Sequence, residues 1–162
     1  MRVTKTNKWI RRNKYPLRTG LNIEELTGIR ADLYELRKLP DEVSKEALFE
    51  VGKTLMHAVQ EALPRSDKEY DSKNGRRRKH VHLKDDVKYW VDHAKGSGPL
   101  YVSIYGGYDT GYKWGWINDG YIHAKSHEFV PGIHFLEKAI VRSQSRIESI
   151  IDDYLEEGLK DE

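Results

Sequence analysis

Trp114-Gly-Trp-Ile-Asn-Asp-Gly120, followed by Val130-Pro-Gly-Ile-His-Phe-Leu-Glu-Lys-Ala-Ile140, is the stretch from which the fold is read. It sets two indoles ahead of an Asn-Asp-Gly turn, then leads through Pro131 into a long amphipathic helix. Trp114 and Trp116 lie two apart around Gly115, so in a strand both point to one face. Core placement is expected for at least one of them, since truncating a buried Trp costs ~3–5 kcal/mol. An exposed one becomes an interface anchor, because Trp is enriched among binding hot spots. Nothing in the stretch is arranged for covalent chemistry. It favours a protein that works by fitting against other protein surfaces.

Downstream, Leu136, Ala139, Ile140, Ile147, Ile150, Ile151, Tyr154 and Leu155 recur at helical spacing. They predict a helix over about 133–157, with Gly158 as its C-cap. Its C-terminal end is acidic, which opposes the helix dipole at a cost of a few tenths of a kcal/mol. A basic partner would relieve that cost.

Upstream, Leu100-Tyr-Val-Ser-Ile-Tyr105 alternates, placing Leu100, Val102 and Ile104 on one face of a strand. Val81, Leu83, Val87, Tyr89 and Val91 suggest a short turn and another strand. Gly106, Gly107 and Gly111 turn the chain between elements. Further back, Val43, Ala47, Leu48, Val51, Leu55, Ala58, Val59 and Ala62 predict a helix from about 41 to 63, stopped before Pro64. Asn22 with Glu25 forms a capping-box pattern. Ile23, Leu26, Ile29, Leu33 and Leu36 then predict an earlier helix over 22–38. Residues 1–20 show neither periodicity and read as a basic arm, anchored through Trp9 and Ile10. Residues 65–80 are almost wholly polar and read as a mobile basic loop, or with Asn74-Gly75 as the tip of a long hairpin. The expected fold class is α+β, one domain over 21–162, with a small antiparallel sheet packed by two N-terminal helices and a long C-terminal helix.

The composition fits a single folded domain: 162 residues, 38% apolar and 33% charged, with four Trp, ten Tyr and three Phe to fill a core. No apolar run is long enough to span a membrane, and the basic N-terminal segment has no hydrophobic stretch of a secretory signal behind it. Without cysteine there is no disulfide, thiolate metal site or thiol catalysis. The net charge of +2 conceals segregation. Arg2, Lys5, Lys8, Arg11, Arg12, Lys14 and Arg18 crowd the first twenty positions without an acid. Arg65, Lys68, Lys73, Arg76, Arg77, Arg78, Lys79 and Lys84 outnumber three acids over 65–84. Glu148, Asp152, Asp153, Glu156, Glu157, Asp161 and Glu162 face Lys160 alone at the far end. Such polarity suits oppositely charged surfaces that meet between subunits.

Candidate chemistry is sparse. Arg76, Arg77, Arg78 and Lys79 suit an acidic protein neighbour or phosphates, each neutralised duplex phosphate adding roughly 0.9 to the logarithmic salt slope. No helix-turn-helix, finger or ribonucleoprotein pattern supports reading of base sequence. His80 and His82 lie two apart, as a strand-borne metal pair would. A third ligand is wanting, with His123 and His127 near only in sequence, so no metal site is expected. Asp85-Asp86 and Asp152-Asp153 are adjacent pairs, which do not face each other on a helix. Gly106-Gly107 lacks the Lys-Ser/Thr of a phosphate loop. No catalytic residue and no cofactor is assigned.

The order of features from about 22 to 158 resembles the head–tail joining, or tail-completion, proteins of long-tailed bacteriophages. Pro64 and the basic loop fit that pattern. His82-Leu-Lys-Asp-Asp-Val87 stands at its Leu-Arg turn, with Leu83 as the matching leucine. Trp116-Ile-Asn-Asp-Gly120 stands at its aromatic-Val-Glu-x-Gly segment, through Ile117, Asn118 and Gly120. His134-Phe-Leu-Glu-Lys-Ala-Ile140 stands at its Pro-Phe-Leu helix start, through Phe135 and Leu136. Asn118 replaces the usual Glu, Val81 the usual Gly, and His134 the usual Pro.

The resemblance implies a structural virion protein of the neck, assembled in the bacterial cytoplasm and free of enzymatic activity. It implies a ring of copies, hexameric in most of the family, between the head-side connector and the tail terminator or tail-tube proteins, with non-specific contact to passing DNA. Candidate interface residues are Arg76, Arg77, Arg78, Lys79, Trp114, Trp116, Asp152, Asp153, Glu156 and Glu157. Ring contacts are head-to-tail, so the acidic end and a basic segment, either 1–20 or 65–80, are natural complements. Two other readings stand beside this one. The first is a nucleic-acid-binding module of a mobile element, with the four cations on phosphates. The second is a nuclease or toxin using His80, His82 and His127.

Overall fold

The computed structural model describes residues 1–6, 28–73, 75–93 and 100–158. They form a mixed fold: a four-stranded antiparallel sheet, two small hairpins and three α-helices. The main sheet has the order β1 (Arg2–Thr6), β2 (Gly28–Asp32), β6 (Leu100–Gly106), β5 (Val87–His93). Between β2 and β5 come α1 (Asp41–Ala62) and a hairpin of β3 (Tyr70–Lys73) and β4 (Arg76–Lys79). After β6 come α2 (Trp114–Asp119), a second hairpin of β7 (Gly120–Ile122) and β8 (Phe129–Pro131), and α3 (Phe135–Gly158).

The alternation in β6 is realised: Leu100, Val102 and Ile104 are buried while Tyr101, Ser103 and Tyr105 are half-buried on the other face. The inner face packs under α1 and α3. These helices run antiparallel, with Gly158 at the end of α3 meeting Leu39 just ahead of α1. Ala47, Leu48, Val51, Leu55 and Val59 of α1 and Leu136, Ala139, Ile147 and Ile150 of α3 close the core. Each buried Leu, Ile or Val contributes roughly 1.5–3 kcal/mol relative to exposure. Pro40 precedes α1, Asp41 and Glu42 suit its dipole, and Pro64 prevents its continuation.

Two expectations for the N-terminal region fail. The helix predicted over 22–38 is, over 28–32, strand β2 and, over Tyr34–Lys38, a single 3-10 turn; residues 22–27 lie outside the described ones. Ile29 and Leu33 fit both periods, but Ala31 between them is equally buried, giving Ile29, Ala31 and Leu33 on one face with period two. The sheet decides the matter, because β2 is hydrogen-bonded on both sides, to β1 and to β6. Gly28 also lies so close to the Ile104 carbonyl that a side chain there would collide. The basic arm is corrected likewise over 2–6, which form edge strand β1 in register with β2. The rest of 1–20, with Trp9 and Ile10, lies outside the described residues. Of the two readings of 65–80, the hairpin is the one found, with Gly75 at φ 72° in its turn.

Candidate functional site

The residues singled out around Trp116 and Phe135 converge on one junction. Residues 114–119 are helical rather than extended, which overturns the shared-face expectation for the two indoles. Two positions along a helix are about 200° apart. Trp114 accordingly turns inward, fully buried edge-on against Phe135 with ring centroids 5.2 Å apart. Trp116 turns outward, 45% exposed, edge-on to Tyr112 at 5.7 Å.

Asn118 ties α2 to α3. Its Oδ1 accepts the Leu136 N–H at 2.9 Å, satisfying one of the amides that a helix start leaves without a partner. Its Nδ2 donates to Asp119 Oδ1 at 2.8 Å and to Glu137 Oε1 at 3.3 Å. Its carbonyl accepts the His134 N–H at 3.1 Å, while the Ile117 carbonyl accepts that of Ile133 at 2.8 Å. Gly120, at φ 94°, ends α2 and starts β7. Ile117, Phe135 and Leu136 are packing positions of this frame, whereas Leu83 packs on the core from the 3-10 turn Leu83–Asp86 that leads into β5.

Lys5 of β1 completes the junction. Its ammonium donates to Asp119 Oδ1 and, at 3.3 Å, to Glu137 Oε1. Burial pulls the Lys5 pKa down, but the hydrogen bond to Asp119 and the charges of Glu137 and Asp119 outweigh it and push it up. Burial likewise raises both carboxyls; Lys5 and Asn118 more than reverse this at Asp119, and a backbone amide hydrogen bond, then Asn118 and Lys5, do so at Glu137, holding both below their ordinary range. The donor atoms of Asp119, His134 and Glu137 lie within 4.8 Å of one another, the one such convergence among the described residues. Lys5 already supplies the positive charge there. The sequence reading missed this junction because it left Lys5 in the arm, 132 positions from Glu137.

The two small hairpins present contrasting surfaces. The β7–β8 hairpin exposes Ile122 (69%) and Phe129 (64%). Tyr121, Val130, Ile133 and Trp116 are also exposed. The signal was present in Tyr121-Ile122 and Phe129-Val130 on either side of a polar turn. The β3–β4 hairpin exposes Arg76, Arg77, Arg78 and Lys79, with the Arg77 guanidinium 3.7 Å over the Tyr70 ring. Lys68 and His80 hydrogen-bond Asp71 from its base and lower the Asp71 pKa to about 2. On α3, Asp152, Asp153, Glu156 and Glu157 are all exposed.

The histidines are partly brought together. His80 and His82 meet edge-to-face at 4.9 Å, not on one strand face but in the segment leading from β4 to the following turn. His80 bonds Asp71 through Nδ1 at 2.8 Å and Ser66 through Nε2 at 3.3 Å. His123 and His127 belong to the other hairpin, where the His127 N–H donates to the His123 carbonyl at 2.9 Å. Asp86 is a buried fastening: its Oδ2 accepts the amides of Asp109 and Thr110 and the Thr110 hydroxyl at 2.9–3.1 Å.

Comparison with protein-family models, with curated proteins and with solved structures gave no match to this chain.

Proposed function

We propose that this chain is a structural virion protein of a phage neck, completing the tail and joining it to the DNA-filled head through ring-forming contacts between copies. Its role is docking rather than catalysis. The observation that carries this reading is the apolar β7–β8 hairpin. Ile122 and Phe129 stand in solvent with Trp116 nearby, and contiguous exposed apolar surface marks protein contact sites. The hairpin is held by the Asn118 frame, so its residues are pre-positioned and little ordering entropy opposes docking. Of the motif positions suggested by resemblance, Ile117, Asn118, Gly120, Phe135 and Leu136 build that frame.

The test is complementation of a phage lacking this gene. Ile122→Asp with Phe129→Asp should give folded protein by circular dichroism yet leave heads and tails unjoined in electron micrographs. Full infectious titre from that variant, or from phage without the gene, would sink the proposal.

A second reading is favoured by one feature, Arg77 stacked on Tyr70 among exposed cations. That is a nucleic-acid contact without base readout, and a steep fall of duplex binding with salt would identify it.

A further inference from the structure

The neck reading leaves open which basic segment faces the acidic helix end. We propose that the β3–β4 ribbon of one copy docks on the C-terminal acidic end of α3 in the next copy, which makes the copy-to-copy contact head-to-tail.

In an antiparallel ribbon, residues directly opposite share a face. Tyr70 lies opposite Lys79 and Ser72 opposite Arg77, so this face carries two cations, a ring and a hydroxyl, and no acid. Asp71, on the other face, is already engaged by Lys68 and His80. Among the described residues, none of Arg76, Arg77, Arg78 and Lys79 forms an ion pair with a carboxylate. Their positive field is directed outward, since the ribbon packs chiefly on itself.

The acidic end is the matching surface. Asp152 with Glu156, and Asp153 with Glu157, are like charges four apart on a helix, which repel. All four also lie at the negative end of the helix dipole. The acids extend onto α1, where Glu46 and Glu50 lie with Glu157 around Tyr154. Burial, then the charge of Glu50 and the other acids, pushes the Tyr154 pKa up. A cationic partner relieves this repulsion.

One chain cannot make the contact with itself. The end of α3 lies beside the start of α1, as Gly158 against Leu39 shows. The ribbon springs from the other end of α1 and returns beside it, where Gln60 Nε2 donates to the Lys84 carbonyl at 2.9 Å. A helix of 22 residues is about 33 Å long, several screening lengths at physiological salt. The root of the ribbon and the acidic end of α3 therefore lie at opposite ends of α1. A contact between different faces closes into a ring when its rotation permits.

The inference rests on the neck reading in that copies must meet, and a charge-swap experiment separates the two. Three full-length proteins are compared by sedimentation velocity at low and high salt: the unaltered chain, a ribbon reversal (R76E, R77E, R78E, K79E) and a helix reversal (D152K, D153K, E156K, E157K). The unaltered chain should associate at low salt and dissociate at high salt. Each reversal alone should be monomeric. Their equimolar mixture should associate, because each supplies the complement that the other lacks. Self-association of either reversal alone, or failure of the mixture to associate, overturns the pairing. So does an unaltered chain that stays monomeric while its ribbon retards duplex DNA. In complementation, both reversals together should restore infectivity and neither alone. A single reversal that restores it removes the pairing and leaves the neck reading intact; phage infectious without the gene removes the neck reading itself.

Discussion

The two small hairpins are built from the same element and put to opposite use. The β7–β8 hairpin grows from a frame in which Trp114 is fully buried and Asn118 hydrogen-bonds α3, and it shows apolar side chains. The β3–β4 hairpin packs chiefly on itself and shows cations. Burial can hold the first rigidly because its neighbours are core. The second is fastened at its base by the Asp71–His80 and Asp71–Lys68 contacts, and solvation of its charges keeps it off the core. Apolar docking needs a fixed shape to exclude water, whereas charge attraction acts over several ångströms and tolerates a loosely held donor.

The strongest way to break this contrast is at the root of the apolar hairpin. Trp114→Ala should cost ~3–5 kcal/mol in urea unfolding, whereas Trp116→Ala, two residues on and half exposed, should lower stability by less than about 1 kcal/mol. Equal losses would mean that α2 is not the anchor. Next comes Asn118→Ala, which leaves the buried Leu136 amide without an acceptor and should cost about 2 kcal/mol. Amide exchange should then quicken in β7–β8 but not in β3–β4.

Lys5→Ala should cost ~1 kcal/mol, reduced by the exposure of Asp119, and should change a pH dependence with two edges. Asp119 and Glu137 are depressed in the fold. Their contribution is complete above the ordinary carboxylate values of 3.8 and 4.5 and is lost as pH falls below them. Lys5 is raised, so its contribution is complete below the ordinary 10.5 and is lost as pH rises through its higher folded value. Unfolding free energy measured against pH should lose the alkaline edge in the variant and keep a weakened acid edge, since Asn118 and a backbone amide still hold the carboxyls down. The smallest effect is expected at the free hairpin: reversing Arg76, Arg77, Arg78 and Lys79 should move stability by no more than about 0.5 kcal/mol. A larger change would show that the ribbon is part of the folded body after all.

How much of this was legible depends on the range of the forces involved. The α1 and α3 stripes and the β6 alternation are local patterns, and both were readable. Gly28–Asp32 was not, because Ile29, Leu33 and Leu36 satisfy a helical period and only pairing with β1 and with the distant β6 selects the strand. Trp114 and Trp116 were recognised as a pair of interest, yet their fates depended on whether α2 or a strand formed there. At the junction, Asn118 was singled out by resemblance alone, and its partner Glu137 was in plain view nearby. Lys5 carried no local mark: a lysine in a basic run becomes a structural cation only when the sheet delivers it.

That delivery governs the order in which the molecule is completed during synthesis. Lys5 leaves the ribosome more than a hundred residues ahead of Glu137, so β1 cannot be locked until the last helix has emerged. Contacts of such separation slow folding. A nascent chain arrested before α3 would retain an unlatched sheet edge, a ready substrate for chaperones and proteases, and only finished subunits would be released to assemble.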